Sequence, residues 1–142
     1  MPTQAPQNAS RIVTISDGTE RDQVDVHLGQ ERDALSVRLR ASCGQFNWTT
    51  VEDVFVKRRR LEHLVLTYAH GVQRIYVQGR LVDATRFDGR LAGWDRRYPL
   101  VVGNEATRDR PFVGDVSLVA VYDRALSASE IAASAAAGVP ES

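Results

Sequence analysis

Cysteine, lysine and any excess of one charge are nearly absent from this chain. Cys43 is the single cysteine among 142 residues, which excludes an intrachain disulfide and a cysteine-based metal site. We expect Cys43 to be a small buried or half-buried residue, because no activating base adjoins it. Eighteen acidic residues balance eighteen basic ones, of which only Lys57 is lysine. No overall field therefore attracts nucleic acid or an anionic membrane.

Long hydrophobic runs are also missing. No stretch approaches the roughly twenty apolar residues of a membrane span, and residues 1–8 lack the charged start and apolar middle of a signal peptide. The basic run 57–60 has no aromatic residue or second basic cluster beside it, so we interpret it as a solvated corner between strands. We expect no nucleic-acid partner and no membrane insertion by this chain.

The sequence shows no alternation of strand and helix patterns. Instead, apolar residues recur at every second position in short segments, and turn residues separate these segments. This pattern predicts an all-β fold, an antiparallel two-sheet jelly-roll sandwich with one short C-terminal helix. We expect one domain over 10–138, with a flexible tail or linker at 1–9 and a tail at 139–142. The predicted strands are 11–16, 23–30, 34–41, 48–56, 63–68, 73–78, 100–103 and 112–122, of which 48–56 has a weaker periodicity. A turn at 69–71 predicts a hairpin of 63–68 with 73–78, and 85–99 is a long irregular segment.

The segment Phe112–Tyr122 carries the strongest strand pattern. Val116 and Leu118 begin one apolar face, while Val119 and Val121 continue the other. A strand that is apolar on both sides is typical of a sheet interior, so we expect this segment inside the packed sandwich. By contrast, strands 23–30 and 34–41 each have one apolar and one polar face, which predicts that their polar face is in water.

The hydrophobic period changes to that of a helix after this strand. Ser127 and Glu130 have the spacing of a capping box, in which each side chain bonds to the other residue's backbone amide. Leu126 and Ile131 occupy the two positions of a hydrophobic staple. Gly138 suits the left-handed residue that ends a helix. The sequence therefore predicts one short helix here.

Several segments, in their order and spacing over residues 11–137, resemble the laminin G-like domains of the concanavalin A-like lectin/glucanase superfamily. The closing Tyr-Asp-Arg-Ala-Leu-Ser-x-x-Glu-Ile is similar to that of the bacterial members, and a narrower likeness is to the laminin G-like domains appended to VanZ-like membrane proteins. The resemblance implies a jelly roll of two curved sheets that binds carbohydrate or protein, commonly outside the cytoplasm or at the cell surface. The matching segments are 63–68, 76–79, 100–104, 110–114 and 121–131.

Two departures from the family pattern affect these expectations. Ser117 stands where the family often has an acidic residue, and Ca²⁺ needs several charged oxygen ligands. We therefore expect no cofactor and assign no metal site, and calcium is left open as an alternative that these residues do not support. The family's usual N-terminal strands are missing before Arg11. Because a sandwich without edge strands exposes unpaired amides, we expect a fragment or excised domain with one open sheet edge, or a homodimer that completes it.

Catalytic carboxylates do not have the required spacing. The hydrolases of this superfamily carry Glu-x-Asp-x-x-Glu on one strand, and retaining glycosidases need two carboxyls about 5 Å apart. Glu31 with Asp33 does not complete that pattern. Glu52 and Asp53 would point to opposite faces of a strand. The three histidines are too scattered for a metal triad. We therefore expect no enzyme, and a glycoside hydrolase is the less favoured alternative.

Two surfaces compete as the binding site. One is a sheet face across which a sugar would lie, and its residues are Asp25, His27, Arg38 and Arg40. The other is a loop end where an aromatic ring and planar hydrogen-bonding groups would grip a glycan. The residues of this loop end are His70, Arg90, Trp94, Asn104, Glu105, Asp109 and Arg110.

Structural roles compete with binding at the loop end. Trp94 also fits a loop anchor, Glu105 a surface ion pair with Arg108 or Arg110, and Asn104 a turn former. The sequence favours a non-catalytic binding module, above all for carbohydrate, within a larger surface or secreted protein. The alternative is a structural or protein-interaction domain without a small ligand, whose working surface is the open edge.

Overall fold

The computed structural model describes residues 1–2, 9–20, 23–42 and 45–139. The chain forms two compact units, one of residues 1–60 with 89–116 and the other of residues 61–88 with 117–142. The expectation for Cys43 falls outside the described residues, as do most of the two predicted tails.

The described elements are eight strands, one 3-10 turn and one helix. All strand pairs are antiparallel, and they form a five-stranded sheet in the first unit and a three-stranded sheet in the second. This confirms the all-β, two-sheet fold class. The elements are β1 Ser10–Ser16, β2 Val24–Glu31, β3 Ala34–Arg40, β4 Phe46–Val51, β5 Leu64–Ala69, β6 Val72–Val77, β7 Arg80–Arg86, the 3-10 turn Leu91–Gly93, β8 Leu100–Val102 and α1 Ala128–Ala137.

The five-stranded sheet has the order β4-β3-β2-β1-β8. Its register places Val26 opposite Leu39 and Leu28 opposite Val37, so the apolar residues of both strands share one face. Val37 and Leu39 are buried on that face. The alternation of apolar residues thus set the register, because a slip of one residue would move this whole set to the other face.

The polar side of β2 differs from the expectation. Asp25 and His27 were predicted to face water, but both are fully buried. Alternation along a strand shows which residues share a face, whereas exposure depends on what lies over that face. Here residues 94–95 and 104–110, from distant parts of the sequence, lie against it.

The second unit contains the three-stranded sheet β5-β6-β7. Its two tight turns both have positive φ at their central residues, 51° and 72° at His70 and Gly71, and 53° and 76° at Gln78 and Gly79. Two consecutive positive φ angles match the twist of a hairpin. The predicted hairpin at 70–71 is confirmed.

Helix α1 begins and ends as the sequence predicts. The Glu130 amide donates to the Ser127 Oγ at 3.2 Å, and the Ser127 amide donates to the Glu130 carboxylate at 2.7 Å. A hydrogen bond from Arg124 and a second from the Ser127 backbone lower the pKa of Glu130 to about 2. Ile131 is fully buried, and Gly138 follows the helix with φ 69°. The capping box is confirmed.

The segment Phe112–Tyr122 is where the strand prediction is wrong. Its one described bridge joins Gly114 to Pro2, and no strand is formed over this range. Leu118, Val121 and Tyr122 are 64%, 70% and 58% exposed. Apolar alternation gives a segment its two faces, but a strand also needs a free neighbouring edge in register.

Three further predictions about the chain differ from the structure. The fourth strand was predicted to reach Val56 but ends at Val51, where a turn begins. Strand β7, Arg80–Arg86, was not predicted, and it includes the first two residues of the segment 85–99 that was predicted to be irregular. Of the predicted N-terminal tail, Pro2 is buried and its carbonyl accepts from the Arg59 amide at 3.1 Å. This part of the tail is therefore held against the first unit.

We predict that Ser127→Ala lowers the free energy of unfolding by about 1 kcal/mol, because the Glu130 amide then loses its acceptor. Urea denaturation monitored by circular dichroism measures this change. Ser127→Thr keeps a hydroxyl at the cap and is the matched control, for which we expect a smaller loss. Equal losses in the two variants would contradict a capping role.

Candidate binding face of the five-stranded sheet

One row of cross-strand neighbours runs over the sheet. Thr14 pairs with His27, His27 with Arg38, and Arg38 with Trp48. Direct cross-strand neighbours point to the same side, so these four side chains define one surface, which we call the polar face. Asp25 and Arg40 lie one row away on the same side, two residues from His27 and Arg38 respectively.

Asp25 and Arg40 form an ion pair at one end of the polar face. The Arg40 Nε donates to Asp25 Oδ1 at 2.9 Å, and the Arg40 Nη2 donates to the same oxygen. The other Asp25 oxygen accepts from the Asp95 amide at 3.0 Å. The Arg40 guanidinium also lies 5.9 Å from the Tyr98 ring centre, within cation–π range. Both charges are therefore matched within the protein.

Glu105 is the second buried carboxylate of the polar face. It is fully buried and accepts from the Arg11 Nε at 3.1 Å, from the Ser16 hydroxyl, and from the Ala106 amide at 3.1 Å. The Arg11 side chain is 3% exposed. The sequence suggested a surface ion pair with Arg108 or Arg110, but the partner is Arg11, 94 residues away. Sequence spacing carries no signal for such a pair.

Asn104 shapes the loop that follows β8. Its Oδ1 accepts from the Glu105 amide at 2.8 Å and from the Arg110 amide at 3.0 Å. Its carbonyl accepts from the Thr14 hydroxyl at 3.3 Å, and the Arg11 amide donates to the Arg110 carbonyl at 3.0 Å. One amide side chain thus closes the loop on itself, and two bonds to β1 hold it on the sheet.

His27 lies at the centre of the row. It is fully buried, and neither ring nitrogen has a hydrogen-bond partner among the residues that the structure describes. Burial, and then the charges of Arg11 and Arg38, lower the pKa of His27 from 6.5 to about 2. A Cβ at Gly29 would stand 3.1 Å from the His27 Nε2 and would collide with the Ser10 carbonyl oxygen. The neutral imidazole therefore lies over a glycine.

Arg38 and Trp48 form the exposed end of the row. The Arg38 guanidinium carbon stands 4.1 Å from the Trp48 ring centre, and the Trp48 indole nitrogen donates to the Ser36 hydroxyl at 3.1 Å. Trp48 is 55% exposed. The Arg38 Nη1 makes only a long 3.4 Å bond to the Thr19 carbonyl. A fixed aromatic ring beside a cation with donors to spare is suited to recognition.

The two surfaces that the sequence offered as alternatives are partly joined. Asn104, Glu105 and Arg110 lie against β1 of the polar face, and the Trp94 indole nitrogen donates to the Arg40 carbonyl at 2.8 Å. The structure thus gives Trp94 an anchoring bond.

The remaining candidate residues of the loop end are dispersed. The Arg90 amide donates to the Ser42 hydroxyl at 2.9 Å. Asp109 accepts from the Thr107 hydroxyl, which lowers the pKa of its carboxyl. His70 belongs to the second unit, in a hairpin turn.

Sequence reasoning missed Trp48 and Arg11. Trp48 was assigned to a strand of weak periodicity, and only the β3–β4 register shows that it stands beside Arg38. Arg11 was counted simply as the first residue of a strand. The signal for each lies in strand pairing, which a single sequence does not contain.

Calcium does not fit the polar face. Its two buried carboxylates, Asp25 and Glu105, are each matched by an arginine, whereas Ca²⁺ needs several unmatched oxygen ligands. Over the described ranges, no three His, Cys, Asp or Glu side chains form a group suited to a metal ion.

In the same ranges, no helix has the length and apolarity to cross a membrane.

We predict that Glu105→Gln lowers the free energy of unfolding by about 3–5 kcal/mol, because Arg11 keeps a buried charge without its counter-charge. Arg97→Gln is the control, since the Arg97 side chain is 88% exposed in its pair with Asp95 and an exposed pair contributes little to stability. Urea denaturation measures both variants. If both variants lose a similar free energy of unfolding, burial does not make the Arg11–Glu105 pair more important for stability than an exposed pair.

A second prediction follows from the depressed pKa of His27. The unfolded chain takes up a proton near pH 6.5 and the folded chain near pH 2, so the stability from neutral His27 is complete above about pH 6.5. It is lost as the pH falls below that value, by up to about 1.4 kcal/mol per pH unit. Urea denaturation between about pH 5 and pH 7.5 should show a steeper decline for the wild type than for His27→Gln. Parallel curves would contradict the assignment.

Comparison with known proteins supports the fold. The CBM40 domain, a carbohydrate-binding module, of a Ruminococcus gnavus IT-sialidase superposes with a TM-score of 0.73 at 18% identity, over 92% of this chain and 76% of that one. The receptor-binding domain of botulinum neurotoxin mosaic serotype C/D superposes with a TM-score of 0.56 at 13% identity, over 93% of this chain and 32% of that one. At these identities the likeness concerns the fold alone, and it confirms the jelly-roll class.

The sequence itself identifies the family. No curated protein matches the chain. A family model described as the concanavalin A-like lectin/glucanases superfamily matches residues 1–132, which is most of the chain and includes the polar face. The chain therefore belongs to the concanavalin A-like lectin/glucanase superfamily.

Proposed function

We propose that this chain is a non-catalytic carbohydrate-binding module within a larger surface or secreted protein, and that it binds a saccharide on the polar face beside Trp48. The observation that carries the proposal is the exposed Trp48 ring with the Arg38 guanidinium stacked at 4.1 Å. The similarity in fold to a carbohydrate-binding module supports it.

The chemistry of the polar face suits a sugar. A pyranose ring has an apolar side that packs on an aromatic ring and hydroxyls that pair with planar donors and acceptors. Trp48 supplies the part of its ring that Arg38 does not cover, and Arg38, which lies over that ring, supplies donors. The bonds of Asn104 and Glu105 hold a loop on the sheet nearby, so the face is formed before a ligand arrives and little ordering entropy is lost on binding.

Arg90, Trp94 and Asp109 stay candidate contacts from the loop end. Trp94 is half-buried and fixed through its indole nitrogen to the Arg40 carbonyl. Its ring would serve a ligand that extends from Trp48 toward Arg40. His70 is part of the second unit, so we do not include it in this site.

The positions and partners of the carboxylate side chains favour a binding function over glycoside hydrolysis. Glu52 and Asp53 lie in the turn after β4, with Asp53 at φ 60°, and Asp33 pairs with Arg58 at 2.7 Å. The buried carboxylates of the polar face are held by Arg11 and Arg40. A glycosidase needs two carboxyl groups that are free to act on the glycosidic bond, whereas these two are engaged by guanidinium groups of the protein.

A second candidate function is a protein-interaction domain. Leu118, Val121 and Tyr122 expose their apolar side chains along one segment, and such groups mark interfaces more often than solvent-facing loops. A partner strand, from another protein or a second copy of this chain, would pair at an open sheet edge.

A glycan array tests the first function. We expect binding to a subset of glycans and a loss of about tenfold or more for Trp48→Ala, since an exposed aromatic anchor contributes about 1.4 kcal/mol or more. Tyr122→Ala removes an equally exposed aromatic side chain outside the polar face and should leave the affinity unchanged.

The outcomes separate the two functions. Silence across the array, together with a dimer in light scattering that Tyr122→Ala dissociates, would replace the carbohydrate function by the interaction function. Turnover on a polysaccharide panel that is lost in Glu52→Gln or Asp53→Asn would overturn both.

A further inference from the structure

Three side chains around the polar face contain buried nitrogen atoms that have no hydrogen-bond partner among the described residues. They are both ring nitrogens of His27, the Nε of Arg38 and the Nε of Arg110. A neutral imidazole has one N–H, and each guanidinium Nε has one, so three donors point to buried positions without an acceptor. Such donors are rare in folded proteins, because each loses its bonds to water when it is buried.

These donors belong to one neighbourhood. His27 and Arg38 are direct cross-strand neighbours on β2 and β3. Arg110 is held to β1 by the bond from the Arg11 amide to its carbonyl at 3.0 Å, and Arg11 pairs with Gly29, which lies beneath the His27 ring. Burial, followed by the charges of Arg11 and Arg110, lowers the pKa of Arg38, which is consistent with cations that lie close together.

Only two of the four arginines here have a carboxylate at hydrogen-bond distance. Arg11 is matched by Glu105 and Arg40 by Asp25. Within the part of the chain that the structure describes, Arg38 has no carboxylate at ion-pair distance. Arg110 approaches Asp109 only at 3.9 Å, beyond hydrogen-bond range. Both guanidinium groups therefore keep an Nε donor without an acceptor, and Arg38 also has no carboxylate partner among the described residues.

We infer that the saccharide recognised at the polar face carries an anionic oxygen group, a carboxylate or a sulfate ester, which accepts hydrogen bonds from Arg38 and Arg110 beside His27. The inference rests on the proposed carbohydrate function and adds the class of ligand. A guanidinium offers parallel donors that match two oxygens of one carboxylate or sulfate. A water molecule would accept one of these bonds but would leave Arg38 without a counter-charge.

His27 contributes shape and one donor without charge. Because burial lowers its pKa to about 2, the imidazole stays neutral over the range in which proteins work. Guanidinium groups stay charged over the same range. The affinity for the anionic group is therefore expected to be flat between about pH 5 and pH 8, whereas a site that used charged histidine would weaken as the pH rose.

The test uses the strongest ligand from the glycan array and a matched neutral version of it. A carboxylate is reduced to the alcohol, or a sulfate ester is removed, and isothermal titration calorimetry measures both forms. We expect the neutral form to bind about tenfold to a hundredfold more weakly, because it loses the charge-assisted hydrogen bonds to the guanidinium groups. Arg38→Gln and Arg110→Gln should each weaken the anionic ligand by a similar factor and the neutral form by a clearly smaller one.

Control variants separate recognition from folding. Arg38→Lys keeps the charge but not the paired donors and should bind with intermediate affinity, while Arg86→Gln alters a 73% exposed arginine of the second unit and should change nothing. Thermal melts establish that each variant is folded. If Arg38→Gln does not fold, Arg110→Gln alone decides, because its backbone carries the bonds that hold the loop.

Each outcome decides one of the two proposals. If the strongest array ligand is neutral, or if its neutral version binds equally well, the anion inference is overturned and the carbohydrate function stands. If no saccharide binds, the carbohydrate function itself fails and the inference with it. If neutralising a carboxylate weakens binding and removing a sulfate does not, or the reverse, the experiment identifies which anionic group the polar face recognises.

Discussion

The buried pair between Arg11 and Glu105 is the interaction on which the polar face depends. It joins the first strand to a loop 94 residues later, in a place where Glu105 is fully buried. Removing both charges from water is costly, and the pair is tolerated because the Ser16 hydroxyl and the Ala106 amide satisfy further lone pairs of the carboxylate. Such a pair contributes geometry more than net stability. It determines where the loop lies, and the loop determines which parts of the sheet meet solvent.

The local features of the fold were readable from the sequence. The capping box at Ser127 needs only residues three positions apart, and the turn at His70 and Gly71 needs only two. Alternation in β2 and β3 predicted the strands and the apolar face that they share. In each case the residues that interact to form the element are close together in the sequence.

The nonlocal features were not readable. Phe112–Tyr122 has a stronger strand pattern than β4, yet β4 is paired and this segment is not. Likewise the polar side of β2 looked solvated, because the loop that covers it is encoded far downstream. Trp48 and Arg38 became neighbours only through the β3–β4 register. The sequence predicted most of the polar residues of the candidate site, as members of two separate surfaces. It did not predict which of them lie together.

The glycine in the middle of β2 has a geometric consequence for recognition. Gly29 leaves the sheet without a side chain at that position, and the His27 ring lies across the gap. The space that a side chain would need there is already filled, because a Cβ would collide with the Ser10 carbonyl oxygen and would stand 3.1 Å from the His27 Nε2. An alanine at this position would therefore force the backbone of β1, and to a lesser degree the imidazole, to move. The closeness of β1 to β2 and the position of the His27 ring, which shape the polar face, thus depend on the absence of a side chain at residue 29.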